Sequence, residues 1–579
     1  MHTLGINAAF HDCAAALVRD GTVLAAAEEE RFTRVKHGKR PLPFTAWQLP
    51  FHAIDYCLRE AGLSLRDVDH IAYSFDPALL LGQAAGRACI ELPLEPSRGQ
   101  APADGSSPWD PLFLSYVVNA PRQLAAGAPF HLQDRYAGAG LERILERWRY
   151  VEHHLSHEAS AFLAAPCEET AVLTLDGRGE RATTSYGHFS DGRYERIGQV
   201  NLPHSLGLLY EDVTRYLGFL HSSDEYKVMA LASYGKPRHA AAFREIVRPD
   251  GEGGYRLEPA RLEERFGPPR RRGEPFDQRH MDIAHSLQQV LEETVLGMAR
   301  WLHGATGSSN LCMAGGVALN CVMNARLSRE GPFDSVWVQP AAGDAGTALG
   351  AALWVDYQHR APDRRHWVME HAYLGPSYGD EEIEQFLKRS RLAYRRLDDV
   401  AEEAAGLLAQ DRVLGWFQGR MEFGPRALGA RSILASPLDS TMQARLNGLK
   451  DREDFRPVAP VVMEERAHEW FDAGRFPSIC APFMLFVFDV LPHRAGRIPA
   501  VRHIDGTARV QTVRRDQHPR YYDLLAAFER RTGVPVLVNT SFNTRGEPVV
   551  CTPRDAVECF WTSPLDALVI GSFLLEKPR

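Results

Sequence analysis

A chain of 579 residues, 45% hydrophobic and 24% charged, is too long for one compact core and predicts two globular lobes. Sixty-six Lys and Arg against 74 Asp and Glu give a formal charge of −8, which removes nucleic acid as an expected partner. Nine cysteines without paired spacing, Cys13, Cys57, Cys89 and Cys312 among apolar neighbours, are expected to be reduced. With no signal-peptide pattern and no apolar run near the ~20 residues of a membrane span, the expected setting is cytoplasmic, without a membrane.

The opening predicts a meander. Leu4–Asn7 is strand-like, and Ala14–Arg19 and Val23–Ala27 flank Asp20-Gly21, a two-residue hairpin signal. A helix is expected at Phe51–Glu60, ended by Gly62, and a strand at Val68–Ser74. Two Pro/Gly-rich stretches, Pro93 to Pro108 and Asp250 to Pro275, are expected as surface insertions, the second with a solvated Arg270-Arg271-Arg272. The middle has an α/β rhythm: strand Ala171–Leu175, helix Ile283–Leu302, strand Asn310–Met313, and Gly315-Gly316 opening a helix. Strand Val336–Val338 follows, and Gly343-Asp344-Ala345-Gly346 opens another helix. The periodicity lapses near Asp356–His366, which places a domain boundary there: 1–360 and 367–579, both α/β.

The metal signal is His153-His154-Leu155-Ser156-His157. On a helix, His153 and His157 share a face one turn apart, while His154 points elsewhere. Stacked or surface histidines would give the same spacing. Two aspartates weigh for a metal, because Asp176 and Asp344 stand at strand ends, where ligands collect in α/β sheets. Two imidazoles and two carboxylates suit Fe, Mn or Zn.

The Gly315-Gly316 and Gly343–Gly350 junctions offer backbone N–H groups at strand-to-helix turns, suited to phosphate or ribose oxygens. Neither matches a P-loop or a dinucleotide fingerprint. The C-terminal part sets basic clusters among Gly and Pro: Phe423–Ser432 with Arg426 and Arg431, Lys450–Pro457 with Lys450 and Arg456, and Asp505–Gln511 with Arg509. A polar Asn539-Thr540-Ser541-Phe542-Asn543 follows. Any single arginine defaults to a surface ion pair, but the grouping favours a polyanion site.

These motifs together resemble the NodU/CmcH-type O-carbamoyltransferases over essentially the whole chain. The resemblance rests on Gly5–Leu17 with His11-Asp12, Glu29-Arg31-Phe32 with Lys36-His37, His153–His157, Asp176-Gly177 and Glu225-Tyr226-Lys227-Val228-Met229. It continues through Ala314–Asn320, Gly343-Asp344, Gly424–Gly429, Phe455-Arg456-Pro457 and Asn539–Asn543. Ala230 stands where the family usually has glycine.

The resemblance implies an N-terminal lobe of the actin/Hsp70/sugar-kinase fold and a C-terminal YrdC-like α/β lobe. It implies that the C-terminal lobe makes carbamoyl-adenylate from ATP and carbamoyl phosphate with Mg2+, and that the N-terminal lobe passes the carbamoyl group to a small-molecule hydroxyl, as in antibiotic-type secondary metabolism. By the same resemblance His153, His157, Asp176 and Asp344 hold a divalent metal, Fe2+ foremost, with Mn2+ or Zn2+ as alternatives. Gly177, Gly315, Gly316, Asn320 and Gly343 line the N-terminal nucleotide cleft, and His11, Asp12, Lys36 and Asp224 are catalytic candidates, His11 first as base. Arg426, Arg431, Lys450, Arg456, Arg509, Asn539, Ser541 and Asn543 bind carbamoyl phosphate and ATP. The alternative is a small-molecule kinase of the same fold, and a homodimer is compatible with either.

Overall fold

The computed structural model describes residues 1–38, 49–81, 110–126, 135–136, 140–360, 367–475 and 478–577. The expected insertion at 93–108 and Cys89 lie outside the described residues.

Strands β1 (His2–Asn7), β2 (Ala14–Arg19) and β3 (Thr22–Glu28) form the expected meander. At its turn Asp20 and Gly21 take φ of 48° and 80°, the positive pair a tight hairpin of this twist requires. β4 (His70–Tyr73) and β5 (Trp148–Tyr150) add in parallel on the other side of β1, giving the order β3-β2-β1-β4-β5. The chain then builds β6 (Thr170–Leu175), β7 (Ala182–Ser190) and β8 (Arg193–Asn201) as a second meander. After a two-stranded hairpin, β9 (Val247–Pro249) and β10 (Tyr255–Leu257), the strands β11 (Asn310–Ala314) and β12 (Ser335–Val338) join β6 in parallel. The second sheet, β12-β11-β6-β7-β8, therefore repeats the wiring of the first. This duplication, invisible as a sequence repeat, is the expected actin/Hsp70/sugar-kinase architecture.

Each half ends in a helix, His153–Phe162 and Ala345–His359, and the two cross between the sheets. Two glycines permit the crossing. A Cβ on Gly350 would lie 1.7 Å from the Ser156 carbonyl oxygen, and one on Gly5 would lie 1.9 Å from that of Ala348. The second helix is thus seated against β1 on one side and the first helix on the other. Its N-terminal end, Asp344, is delivered to the His153–His157 face.

The C-terminal lobe is a mixed eight-stranded sheet with central strands Leu414–Phe417, Arg431–Ala435 and Val536–Ser541. Helices Val400–Leu408 and Pro519–Thr532 pack together over it, burying Ala404, Leu408, Leu524 and Phe528. The lobes are not separate bodies in packing. Met369, Ala372, Leu374, Phe423 and Leu428 belong to the large apolar cluster of the N-terminal lobe. Ala26 of β3 donates to the Leu374 carbonyl at 3.1 Å. Buried Glu28 accepts from Arg31 and from the Gly424 N–H, both at 2.9 Å, and Arg31 donates to the Gly424 carbonyl at 2.8 Å.

Three expectations change. Gly315-Gly316 opens a short 3-10 turn, Gly316–Leu319; the helix begins at Cys321, capped by the Asn320 side chain, because Gly315 at φ 90° must turn against Leu175. Residues 356–359 complete the helix that ends at His359, with Asp356 buried and paired to Arg360 at 3.0 Å, so the polar composition there is a helix end and not a break, and 361–366 lie outside the described residues. The stretch 250–275 carries β10 and a helix, Leu262–Phe266, and Arg270 is buried with its guanidinium 3.9 Å from the Phe276 ring, so it is no solvated loop residue.

Candidate functional site

The first constellation sits at the helix crossing. His153, His157, Asp176 and Asp344 are all buried. The helix starting at His153 has no side-chain cap from its own N-cap residue; instead Glu180, 27 residues on, accepts the His153 N–H at 3.0 and 3.1 Å and the Asp76 N–H at 2.6 Å. Burial pushes the Glu180 carboxyl up to about 7. Asp176 follows β6, and one of its oxygens accepts the Gly316 N–H at 2.8 Å. Its other oxygen lies 3.6 and 3.9 Å from Nε2 of His153 and His157; Asp344 Oδ1 lies 3.6 Å from each. Both Nε2 atoms are buried without a hydrogen-bond partner. A tetrahedral ion with bonds of about 2.1 Å needs ligand separations of about 3.4 Å. The four atoms therefore fit a divalent metal, and the orphaned imidazole nitrogens are what such an ion would satisfy. Burial lowers His153, but Asp344 and Asp176 outweigh it and hold its pKa well above the ordinary value. His154 turns away to Ser185, as its place on the helix requires.

A second group adjoins. Asp12, at φ 49°, is flanked by His11 at 3.1 Å and His37 at 2.8 Å. Burial raises Asp12, but the two imidazoles hold it far below the usual carboxylate range. His11 reaches within 4.0 Å of Asp344 Oδ2, which joins this group to the tetrad, and His37 reaches Ser223 at 2.9 Å. Gly343 lies alongside, its Cβ position 3.8 Å from Asp12 Oδ2, and Gly177 borders Glu211. Asn320 differs from the glycines: its oxygen caps the following helix and its amide donates to Gln288 at 2.8 Å.

The third constellation is cationic and stands where the lobes meet. Buried Lys450 donates to Ser541 and, at 2.7 Å, to Asn543, so these three candidates form one unit. Burial, then Arg452, Arg456 and Lys36, drive the Lys450 pKa well below its ordinary value. Burial and neighbouring guanidinium groups lower Arg426 to about 9 and Arg452 to about 9, with Arg509 also depressed. Nε of Arg426 and Arg509 and Nη2 of Arg452 are buried without acceptors. Buried guanidinium nitrogens without acceptors, on cations that crowd one another, are what an anion would satisfy. The N-terminal lobe supplies part of its wall: Arg456 lies 4.7 Å over Tyr226, Arg426 donates to the Leu319 carbonyl at 3.3 Å, and Cys321 adjoins Arg509.

Two expected members stand apart. Arg431 is fully buried, stacks 3.7 Å from Phe417 and spends its donors on the carbonyls of Gln418, Gly419, Ala430 and Pro376, so it braces a turn. Asn539 donates to Ala427 and Gln511 in the sheet interior beside the cluster. Asp224 lies at the start of helix Glu225–Ala232 and pairs with Lys227 at 3.1 Å. Sequence reasoning missed Glu180, which no local pattern marks, and Arg452, which stands in the quoted basic run itself.

The paired sheets with a buried tetrad, joined to a lobe whose junction carries a cluster of cations, define an α/β protein with two candidate polar sites. Comparison with known proteins gives the class. Residues 2–80 and 135–353 match the family described as carbamoyltransferase N-terminus, and residues 405–577 match carbamoyltransferase C-terminus. The chain belongs to the carbamoyltransferase family and is an enzyme that transfers carbamoyl groups. It is 42% identical to an uncharacterized protein of Synechocystis sp., over 100% of this chain and 97% of that one. It is 40% identical to nodulation protein NolNO of Sinorhizobium fredii, over 99% of this chain and 80% of that one. Among solved structures, the (R)-2-hydroxyglutaryl-CoA dehydratase component A of Acidaminococcus fermentans is 16% identical, over 62% of this chain and 98% of that one, at a TM-score of 0.33. Among the described residues, no helix is long and apolar enough to cross a membrane.

Proposed function

We propose that this carbamoyltransferase uses ATP and carbamoyl phosphate, with Mg2+, to carbamoylate a hydroxyl of a small molecule through carbamoyl-adenylate. The observation that carries the reading is the group of cations at the lobe junction whose guanidinium nitrogens, Nε of Arg426 and Arg509 and Nη2 of Arg452, are buried without acceptors, beside a separate metal-type tetrad. A kinase of this fold needs one nucleotide cleft and no second polyanion site.

At the junction Lys450, Arg426, Arg452, Arg456 and Arg509 bind the phosphate oxygens and exclude water. For the atoms to balance, one admitted water hydrolyses carbamoyl phosphate to carbamate and inorganic phosphate, and the carbamate oxygen then attacks the α-phosphorus of ATP with loss of pyrophosphate. In the N-terminal lobe the acceptor oxygen then attacks the carbamoyl carbon, AMP leaves, and the hydroxyl proton passes to a base. His11, oriented by Asp12, is the first candidate, with Asp224 the second. His153, His157, Asp176 and Asp344 would hold Fe2+, Mn2+ or Zn2+, which supplies positive charge to the departing phosphate. Gly315, Gly316 and Gly343 border the same cleft, with the Gly316 N–H spent on Asp176 and the Gly315 N–H on the Ala342 carbonyl. We take 1–360 as the transfer unit and 367–579 as the adenylate-forming unit, the second completed by Tyr226, Lys36 and Cys321 from the first.

The test is to incubate the protein with ATP, carbamoyl phosphate and metal. Pyrophosphate release supports the reading, and ADP release replaces it with a kinase. A mass shift of about +43 Da, one carbamoyl for one hydrogen, identifies the acceptor in a screen of hydroxyl compounds.

A further inference from the structure

One turn of each lobe interlocks with the other where the two sites face each other. In the N-terminal lobe Asp224 and Lys227 stand three residues apart; in the C-terminal lobe Glu453 and Arg456 do the same. Lys227 Nζ is shared, 3.1 Å from Asp224 Oδ2 and 3.0 Å from Glu453 Oε1. Glu453 is shared in turn: its Oε2 is buried, has no hydrogen-bond partner and lies 3.8 Å from the Arg456 guanidinium, too far to bond. Arg456 rests on Tyr226, the residue beside Lys227. The four charged side chains are only 12 to 24% exposed, so their charges are poorly screened.

We propose that Lys227 is a positioning residue that couples the two sites, so that a polyphosphate on the arginine cluster frees the Asp224 carboxylate from its ammonium partner. The inference rests on the polyanion reading of that cluster. A phosphate oxygen is a closer, more highly charged partner for Arg456 than Glu453 Oε2 at 3.8 Å. Once Arg456 turns to phosphate, Glu453 loses that guanidinium and keeps its direct hydrogen bond from Lys227 at 3.0 Å. The ammonium, held between two carboxylates, shifts toward Glu453, and Asp224 loses its counter-ion. Asp224 Oδ2 keeps the Leu220 N–H at 3.1 Å but no longer the ammonium, and so meets a neighbouring hydroxyl or reagent more readily. Asp224, the second base candidate, is therefore masked while the adenylate site is empty and is released as the activated carbamoyl group is made. A plain structural tie between the lobes has no reason to respond to an anion, which separates the two roles.

The test labels carboxylates of the full-length protein with a carbodiimide and an amine tag, with and without inorganic tripolyphosphate, and quantifies modified Asp224 by mass spectrometry. In the wild type, tripolyphosphate is expected to raise Asp224 labelling at least threefold. Lys227→Gln should label at the high level with or without the anion, and Lys227→Arg should restore the response. Glu453→Gln should bind tripolyphosphate at least as tightly as wild type and yet show no response. Tripolyphosphate binding by calorimetry and the melting temperature of each variant show that it is folded and loaded. If the wild type binds tripolyphosphate and Asp224 labelling stays constant, the coupling is overturned while the anion site stands. If the wild type binds no tripolyphosphate, the anion-site reading fails and the coupling falls with it.

Discussion

Replacing Gly350 with alanine tests whether the helix crossing sets the metal geometry. The added Cβ would stand 1.7 Å from the Ser156 carbonyl oxygen, 2.7 Å from the Ser160 nitrogen and 2.8 Å from the Ser156 carbonyl carbon, where real contacts stay beyond 3.0 Å. All three atoms are backbone, so no side chain can rotate away. The helices must part by at least about 1.3 Å, and overpacking of this kind costs about 1–3 kcal/mol or more. Ser156 adjoins His157, so the displacement enters the tetrad directly. A shift of that size added to the 3.6 Å separation of His157 and Asp344 gives about 4.9 Å, past the ~4.2 Å that two bonds of about 2.1 Å can span. Metal affinity is expected to fall at least 100-fold, with a melting temperature lower by several degrees. The assay is metal content after equilibration against a buffered metal series, with thermal unfolding in parallel. Gly448→Ala is the control: Gly448 is exposed in helix Met442–Leu449 with nothing within 4 Å of its Cβ position, and should be neutral or stabilising by about 0.5–1 kcal/mol. Wild-type metal content and stability in Gly350→Ala would refute the geometric reasoning.

Further outcomes follow from the same contacts. His157→Ala should leave the protein with no tightly bound metal and no transfer; full metal content by elemental analysis would remove it from the ligand set. Arg456→Ala should abolish pyrophosphate release yet largely spare transfer from supplied carbamoyl-adenylate, and equal loss of both would contradict two sites. His518 is held down to about 4 by burial, below an unfolded value of 6.5, and its Nδ1 accepts the Tyr521 N–H at the start of helix Pro519–Thr532. The unfolded chain therefore binds the extra proton between those values, so the contribution of neutral His518, about 3 kcal/mol at full shift, is present above pH 6.5 and lost as pH falls toward 4. His518→Asn keeps a capping acceptor without a titration, and should flatten that limb of the stability curve measured by denaturant unfolding. Residues 1–360 and 367–579 expressed separately should lose carbamoylation when mixed dilute, because Met369, Leu374 and Phe423 complete the other half's core; full activity of non-associating halves would show that no shared interface is needed.

The metal-type tetrad was legible because its geometry is local at each contributor: an i, i+4 pair on one helix and an aspartate at each of two strand-to-turn junctions. The meander was legible for the same reason, from Asp20-Gly21 and the unbroken apolar runs 14–18 and 23–27 that flank it. What was hidden depends on distant partners. Arg431 and Arg456 look alike in sequence, each within two residues of Gly or Pro, but the donors that suit phosphate also suit carbonyl oxygens, and only the fold decides between them. Gly424 reads as part of a phosphate turn, yet its φ of 116° and its closeness to Pro340 mark it as a lobe contact. Glu180 caps a helix that begins before it in the chain, and no local spacing encodes that. The duplicated sheets share wiring without shared sequence, since β-meander packing asks only for small apolar residues at alternating positions.

The crossing of the two terminal helices also acts as a fulcrum. Any rotation of one duplicated half against the other about the Gly350–Ser156 contact moves atoms in proportion to their lever arm from it. The edge strands β3 and β8 have long arms and travel furthest, while His157, one residue from the contact, scarcely moves. A cleft built this way can widen at its rim while His153, His157 and Asp344 at the crossing keep their spacing.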